Sequence, residues 1–347
     1  MNLALRPASL PEDTEELIAV LQRNFPGSPM RAIFRWRREG NPAGAGWTWV
    51  VYDRQSGAIG AMTSLYPRPM YIDGKLVLCG QVAEFAVDEA YRSLGPAMML
   101  QRATFEPVDS EEVALCYDCP PHDRGMSTFI RLAMRPSCEL TRYAVLLRSE
   151  EVVANKLGHG AWTKPLIAGA NLLLTPRRGI HRTSGLEVCS LEGRFGDEFT
   201  RLDQMVPSLG IIRSSRSMEL LNWRYCDRFE SNVEVLIARN KGELVAFLAC
   251  VVDPDGRASI LDLFGQNLEE AGLALLGAAI ELYRRKNAFC LEGYCSETSE
   301  LKRVFKAAGF RARERAARVV AYAKPGGRYG IQTSSVSWPL GQAEMYA

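Results

Sequence analysis

The order of predicted strands and helices in the first half of the chain recurs, in weaker form, in the second half. An amphipathic helix of the first half ends in Trp36-Arg37, and its counterpart in the second half ends in Trp223-Arg224. After each of these segments come a strand, a polar turn and a returning strand. A recurring order of elements is typical of tandem duplication. The sequence therefore predicts two similar domains of the α/β (α+β) class.

Apolar periodicity and turn signals set the expected elements. In the first half we expect helices at 11–23, 29–38, 95–105 and 127–132, and strands at 3–8, 47–52, 58–65, 79–87, 113–117 and 138–147. In the second half we expect helices at 268–285 and 300–307, and strands at 233–238, 243–252, 258–264, 289–294 and 318–323. The predicted division is a first domain at 1–149, a linker with an apolar helix at 150–185, a second domain at 186–325 and a tail at 326–347.

Composition excludes several classes of protein. The chain has 347 residues, with 42 basic and 40 acidic side chains and a net charge of +2. That balance gives no sign of a broad nucleic-acid-binding face, so we expect no nucleic-acid partner. Nine cysteines, an odd number at low density, indicate reduced thiols and a cytoplasmic protein. We expect neither a signal peptide nor a transmembrane segment.

One segment carries most of the chemical information. An apolar strand, Val82–Val87, runs into an acidic turn, and Arg92-Ser93-Leu94-Gly95-Pro96-Ala97 then opens an apolar helix. A glycine-containing turn before a helix presents free backbone N–H groups and the positive end of the helix dipole, which suit a pyrophosphate. Arg92 adds a cation at the same place, and Gly95 and Ala97 let a phosphate approach the backbone closely.

This segment resembles the acyl-CoA-binding motif of the GNAT N-acetyltransferase superfamily, Arg/Gln-x-x-Gly-x-Gly/Ala, which Arg92, Gly95 and Ala97 match. The order of elements over residues 3–147 also agrees with that family. The resemblance implies two tandem GNAT-like domains, each with a mixed, mostly antiparallel sheet flanked by helices. It implies acetyl-CoA or another acyl-CoA as co-substrate. The residues that would bind it are Phe85, Ala86, Val87, Arg92, Ser93, Leu94, Gly95, Pro96 and Ala97.

The resemblance also implies direct attack of an amine on a thioester. Glu84 stands on the strand near the place of a general base in relatives, with a salt-bridged strand carboxylate as the alternative. The N–H of Val87 would bind the thioester carbonyl. Tyr117, with Tyr91 as a further candidate, would supply a proton to the leaving thiolate. Cys116 and Cys119 form a single Cys-x-x-Cys pair, so we expect no metal site.

Three departures from the family pattern matter. Pro96 has no N–H, which removes one phosphate donor, although proline suits a first helical turn. Phe129 and Phe305 stand where relatives have the tyrosine that protonates the thiolate. In the second half, Glu269 and Glu270 occupy the loop equivalent to the phosphate motif, and their charge would repel a pyrophosphate. We therefore expect the second half not to hold CoA.

The sequence thus predicts an acyl-CoA-dependent N-acyltransferase acting on a small-molecule amine, of which an amino sugar is one candidate. Arg142, Arg213 and Arg216 are candidates for binding an anionic acceptor. Two alternatives stay open: a non-catalytic CoA- or acyl-binding protein, favoured by the missing tyrosines, and an aminoacyl-tRNA-dependent transferase, against which the net charge argues. Acceptor identity, acyl chain and oligomeric state do not follow from the sequence.

Overall fold

The computed structural model describes residues 2–120, 123–132, 134, 136–149, 185–228 and 232–329. The predicted linker helix and nearly all of the predicted tail lie outside these residues, as does His122 near the predicted site.

The first half follows the predicted order of elements. Its helices are α1 Thr14–Asn24, α2 Met30–Glu39, α3 Leu94–Ala103, α4 Glu106–Asp109 and α5 Asp123–Arg131. Its strands are β1 Leu3–Pro7, β2 Trp47–Asp53, β3 Ile59–Ile72, β4 Lys75–Val87, β5 Cys116–Asp118 and β6 Pro136–Leu146. Strands β3 and β4 are longer than predicted and meet in the expected Asp73-Gly74 turn, where both residues have positive φ, 49° and 77°.

The second half repeats this order with additions at its start. Its helices are α6 Asp197–Met205, α7 Met218–Leu221, α8 Ala271–Arg285 and α9 Leu301–Ala307, and a π-helical turn at Asn222–Cys226 follows α7. Its strands are β7 Leu186–Ser190, β8 Ile212–Ser214, β9 Glu234–Asn240, β10 Glu243–Val252, β11 Arg257–Gly265, β12 Cys290–Ser296 and β13 Arg311–Tyr322.

The described strands form one continuous sheet of 13 strands. Twelve lie in the order β1-β2-β3-β4-β5-β13-β6-β12-β11-β10-β9-β7, and β8 pairs with β3. The sheet is mixed and mostly antiparallel, as predicted, with parallel pairs at β4–β5 and β11–β12. The last strand of each half lies beside the other half, because β13 pairs with β5 and β6 pairs with β12. The halves therefore exchange strands.

Both faces of the sheet in the first half are covered by helices. Neighbouring residues of a strand point to opposite faces. Val50 packs with Leu17 of α1 and Phe34 of α2, whereas Val51 packs with Leu100 of α3 on the other face. The arrangement leaves the carboxyl end of β4 between the two helical layers, where it leads into α3.

The repeated tryptophans meet where the halves join. The rings of Trp36 and Trp223 stack with centroids 4.7 Å apart and planes inclined by 15°. The Nε1 of Trp36 donates to the main-chain oxygen of Trp223 at 2.9 Å, and the Nε1 of Trp223 donates to that of Trp36 at 3.0 Å. Each tryptophan therefore makes the same hydrogen bond to the other. A two-fold axis that relates the two repeats produces this kind of reciprocal contact.

Candidate functional site

The end of β4 is held firmly against α1. The Asp88 carboxylate, one residue beyond the strand, accepts hydrogen bonds from Arg23 and, at 2.6 Å, from Nδ2 of Asn24. A single 3₁₀ turn, Glu89–Tyr91, follows. The Tyr91 ring lies so close to Gly60 of β3 that a Cβ there would come within 2.4 Å of it. Tyr91 is thus packed against the sheet, and the chain is set for α3 to begin at Leu94.

The first turn of α3 offers unclaimed backbone donors. Ser93 stands at the N-cap, but its side chain makes no capping bond. The N–H groups of the N-cap and of the first three helical residues have no partner inside a helix. Here the N–H of Ser93 donates to the main-chain oxygen of Tyr91 and Pro96 has none, so Leu94 and Gly95 keep unpaired N–H groups. A Cβ added at Gly95 would meet nothing closer than Oγ of Ser93, at 3.9 Å. Neither packing nor positive φ requires this glycine, and the space beside it is open to a ligand.

Arg92 lies on the approach to this turn. Its side chain is exposed, and its Nε donates to the main-chain oxygen of Val87 at 3.2 Å. That bond holds the guanidinium beside the end of β4. A cation, two free N–H groups and the positive end of a helix dipole therefore occupy one small region, as an anionic diphosphate requires.

Glu84 lies at a bulge in β4, with a φ of 56°. Its carboxylate is buried and accepts hydrogen bonds from Arg38 at 2.9 Å, Ser64 at 2.9 Å and the Tyr66 hydroxyl at 2.8 Å. Arg37 lies 3.4 Å away. Burial alone would raise the pKa of Glu84, but the charges of Arg38 and Arg37 and these hydrogen bonds lower it below its usual value. A carboxylate so held is a weak base, which favours the salt-bridged alternative.

Tyr117 is 1% exposed on β5, opposite Gln81 of β4. It packs in a core cluster with Met70 and Leu140. Its role as a proton donor stays a prediction, and burial restricts its access to a thiolate.

The two phenylalanines at the expected tyrosine positions are core residues. Phe129 of α5 packs with Met126 and Val320. Phe305 of α9 stacks on Phe310 with ring centroids 5.1 Å apart. Neither has a group that could donate a proton, so an enzyme built on this site needs another donor.

Asp118 is a half-buried carboxyl at the end of β5 that sequence reasoning did not single out. Burial raises its pKa to about 7, opposed only in part by a hydrogen bond from the backbone of Cys119. Among the described residues, no group of three or more histidine, cysteine or acidic side chains could hold a metal ion.

The three arginines proposed from the sequence for an anionic acceptor are already paired. Arg142 binds Glu292 at 2.6 Å and Glu314 at 2.7 Å. Arg213 binds Asp203, and Arg216 binds Asp262 at 3.0 Å. The latter two line a cavity between β11 and β12 in the second half. Each of the three already pairs with a carboxylate of this chain. The expectation that they bind an anionic acceptor is therefore wrong.

The loop of the second half that is equivalent to the phosphate motif has the opposite charge. Glu269 and Glu270 precede α8, which begins at Ala271. Glu269 lies 3.4 Å from Arg303, and Glu270 accepts a bond from Asn267. Two carboxylates at this helix N-terminus disfavour a pyrophosphate there.

Comparison with known proteins agrees with this geometry. Residues 5–124, about a third of the chain, match the family model described as an acetyltransferase (GNAT) domain. The match includes β4, the Arg92–Ala97 turn and α3. The chain is a GNAT-fold protein. A comparison with curated protein sequences found no match.

Solved structures extend the GNAT fold over both halves. A conserved protein of unknown function from Enterococcus faecalis V583, named a probable N-acyltransferase, aligns with a TM-score of 0.68 at 11% identity, over 96% of this chain and 74% of that one. A GCN5-related N-acetyltransferase from Anabaena variabilis aligns with a TM-score of 0.62 at 13% identity, over 92% and 72%. The N-myristoyltransferase of Saccharomyces cerevisiae with bound myristoyl-CoA gives 0.57 at 13% identity, over 93% and 81%.

These likenesses confirm the predicted fold class, and residues 5–124 match the model of a GNAT acetyltransferase domain. No helix in the described part of this GNAT-fold chain is long and apolar enough to span a membrane.

Proposed function

We propose that the chain is an acyl-CoA-dependent N-acyltransferase and that its first half holds the acyl-CoA. The supporting observation is the first turn of α3, where Arg92, the free N–H groups of Leu94 and Gly95 and the open space beside Gly95 converge. In this proposal the turn Arg92–Ala97 binds the pyrophosphate, and Phe85–Val87 at the end of β4 lies along the acyl thioester.

The reaction proposed is direct transfer. The lone pair of the acceptor nitrogen attacks the thioester carbon, the carbon–sulfur bond breaks, the nitrogen loses a proton and the CoA thiolate gains one. The N–H of Val87 binds the carbonyl oxygen as its charge grows. Glu84 stays ionised and holds Arg38 in place in this scheme. The acyl group is acetyl or a longer chain, and the acceptor is a small-molecule amine such as an amino sugar.

A second candidate is a CoA-binding protein without transferase activity. Three observations favour it: Phe129 and Phe305 lie in the core at the expected tyrosine positions, and Glu84 is committed to Arg38. Release of free CoA thiol from acetyl-CoA, on addition of amines, separates the two candidates. If the protein binds acetyl-CoA but releases no CoA thiol with any of a broad set of amines, the CoA-binding protein without transferase activity is favoured.

Calorimetric titration with CoA and acetyl-CoA tests the site itself. We expect micromolar binding by the native chain and a loss of at least about tenfold in Arg92→Glu, because a carboxylate then faces the phosphates. Arg102→Glu, the same charge change in the last turn of α3, is the matched control and should bind as the native chain does. Equal affinity of Arg92→Glu and Arg102→Glu would remove the site assignment.

A further inference from the structure

Arg68 of β3 carries a buried guanidinium whose hydrogen bonding is incomplete. The residue is 2% exposed. Its Nε donates to Oε1 of Gln81 at 2.8 Å, while its buried Nη1 and Nη2 donate to none of the described residues. One face of the group lies 4.6 Å from the ring centroid of Trp223. A buried donor without an acceptor loses its hydrogen bonds to water and gains none in return, so two such donors on one charged group indicate that an acceptor binds there.

The charges around Arg68 also favour binding of an anion. Burial, followed by the nearby charges of Arg224 and Arg37, lowers the pKa of Arg68 to about 9. Arg224 is 7% exposed and forms no ion pair with a described residue. Glu84 is already bound by Arg38 and lies 3.4 Å from Arg37. Among the described residues, Glu84 is the carboxylate that pairs with arginines of this cluster, and neither Arg68 nor Arg224 has a carboxylate partner there.

The position of this cluster connects it to the proposed acyl site. Tyr66 lies opposite Gln81 in the pairing of β3 with β4, and its hydroxyl binds Glu84. Strand β4 runs from Gln81 through Glu84 to Phe85–Val87. The second half contributes Trp223 and Arg224 from its π-helical turn. Arg68 and Arg224 thus lie at the joint of the two halves, beside the strand on which the thioester is proposed to lie.

We infer that Arg68, together with Arg37 and Arg224, binds an anionic group of the acceptor, a carboxylate or a phosphate. The two Nη atoms of a guanidinium form a planar fork that matches both groups in bidentate fashion, and pairing in a buried site gives it strength. This inference rests on the proposed function. It narrows the acceptor to an amine that also carries a negative charge, held where both halves of the chain contribute contacts.

Anion binding is measured first, without CoA. The probes are inorganic phosphate and succinate, titrated calorimetrically against the native chain and against Arg68→Met. We expect the native chain to bind at least one probe and Arg68→Met to bind it at least about tenfold more weakly, since the fork is lost. Arg54→Met, the same substitution at an exposed site, should bind as the native chain does. If Arg68→Met does not fold, Arg224→Gln carries the same expectation.

Matched amines then test specificity with acetyl-CoA. The pairs are glucosamine 6-phosphate against glucosamine, and β-alanine against its amide, so that the phosphate and carboxylate arms are separate. We expect at least about a tenfold higher rate for the anionic member of one pair, and near-equal rates for both members in Arg68→Met. Absence of probe binding together with equal rates within both pairs would overturn the inference.

The failure of this inference and that of the proposed function are distinguishable. If CoA binds through Arg92 but neither anion probe binds and the rates within both amine pairs are equal, the acyl-CoA site stands and the anion site falls. If a probe binds through Arg68 but CoA does not bind, the anion site stands and the acyltransfer proposal falls.

Discussion

Glu84 and Asp118, two carboxyl groups of the first half, show how the surroundings of a side chain decide its chemistry. Glu84 has Arg38 and Arg37 as neighbours, and their charges lower its pKa despite burial. Asp118 accepts a backbone hydrogen bond from Cys119, which lowers its pKa less than burial raises it, so that its pKa is about 7. The sequence identified Glu84 through its place on the strand, but its arginine partners come from α2, far away in the chain. Periodicity and motif spacing cannot show such a pairing.

The raised pKa of Asp118 predicts a pH dependence of stability. An aspartate in an unfolded chain ionises near its usual value of 3.8, whereas the folded chain retains the proton up to about pH 7. The free energy of unfolding should therefore fall as pH rises from about 4 to about 7. Asp118→Asn removes this loss. We expect the variant to be more stable than the native chain at pH 8, by more than about 1 kcal/mol, and the gain to shrink at pH 5.

Urea denaturation at the two pH values measures this difference. Asp255→Asn, at an exposed turn, is the control and should leave the pH dependence unchanged. A gain for Asp118→Asn that is equal at pH 5 and pH 8 would show that Asp118 is ionised in the folded chain like an ordinary surface carboxylate.

At the scale of elements, the strand–turn–helix from β4 to α3 is the part of the candidate site that the sequence could predict. Its signal is local, because a glycine turn, a cation and an apolar helix are adjacent in the chain. The predicted helix at 95–105 is observed as Leu94–Ala103, with a short separate helix at Glu106–Asp109. The predicted departure at Pro96 falls within the first turn, where it removes one of four donors without breaking the helix.

That missing donor can be restored. Pro96→Ala adds an N–H in the first turn of α3 while keeping a small side chain. We expect CoA to bind more tightly, by up to about fivefold, since one hydrogen bond to a phosphate contributes about 1 kcal/mol. Pro107→Ala, at the start of α4, is the matched control and should not change the affinity. Weaker CoA binding by Pro96→Ala would mean that the proline itself shapes the turn for the ligand.

At the scale of the whole molecule, the two halves form one sheet by exchanging β6 and β13. The repeat of element order predicted two similar units, and the Trp36–Trp223 stack joins equivalent positions of both. The exchange itself was not predictable, because strand pairing between residues as distant as Tyr117 and Ala321 leaves no local pattern. For the same reason the Arg68 cluster, which needs Trp223 and Arg224 from the other half, could not be read from either half alone.

The central claim is that acyl-CoA binds to the first half, at the turn that opens α3, and not to its counterpart in the second half. Hydrogen–deuterium exchange of the full chain, with and without saturating CoA, tests both parts in one experiment. We predict slower exchange of the amides of residues 87–97, which donate to the ligand, and unchanged exchange across residues 265–272 before and within the first turn of α8. Unchanged exchange at 87–97, or slowing at 265–272 instead, would contradict the account.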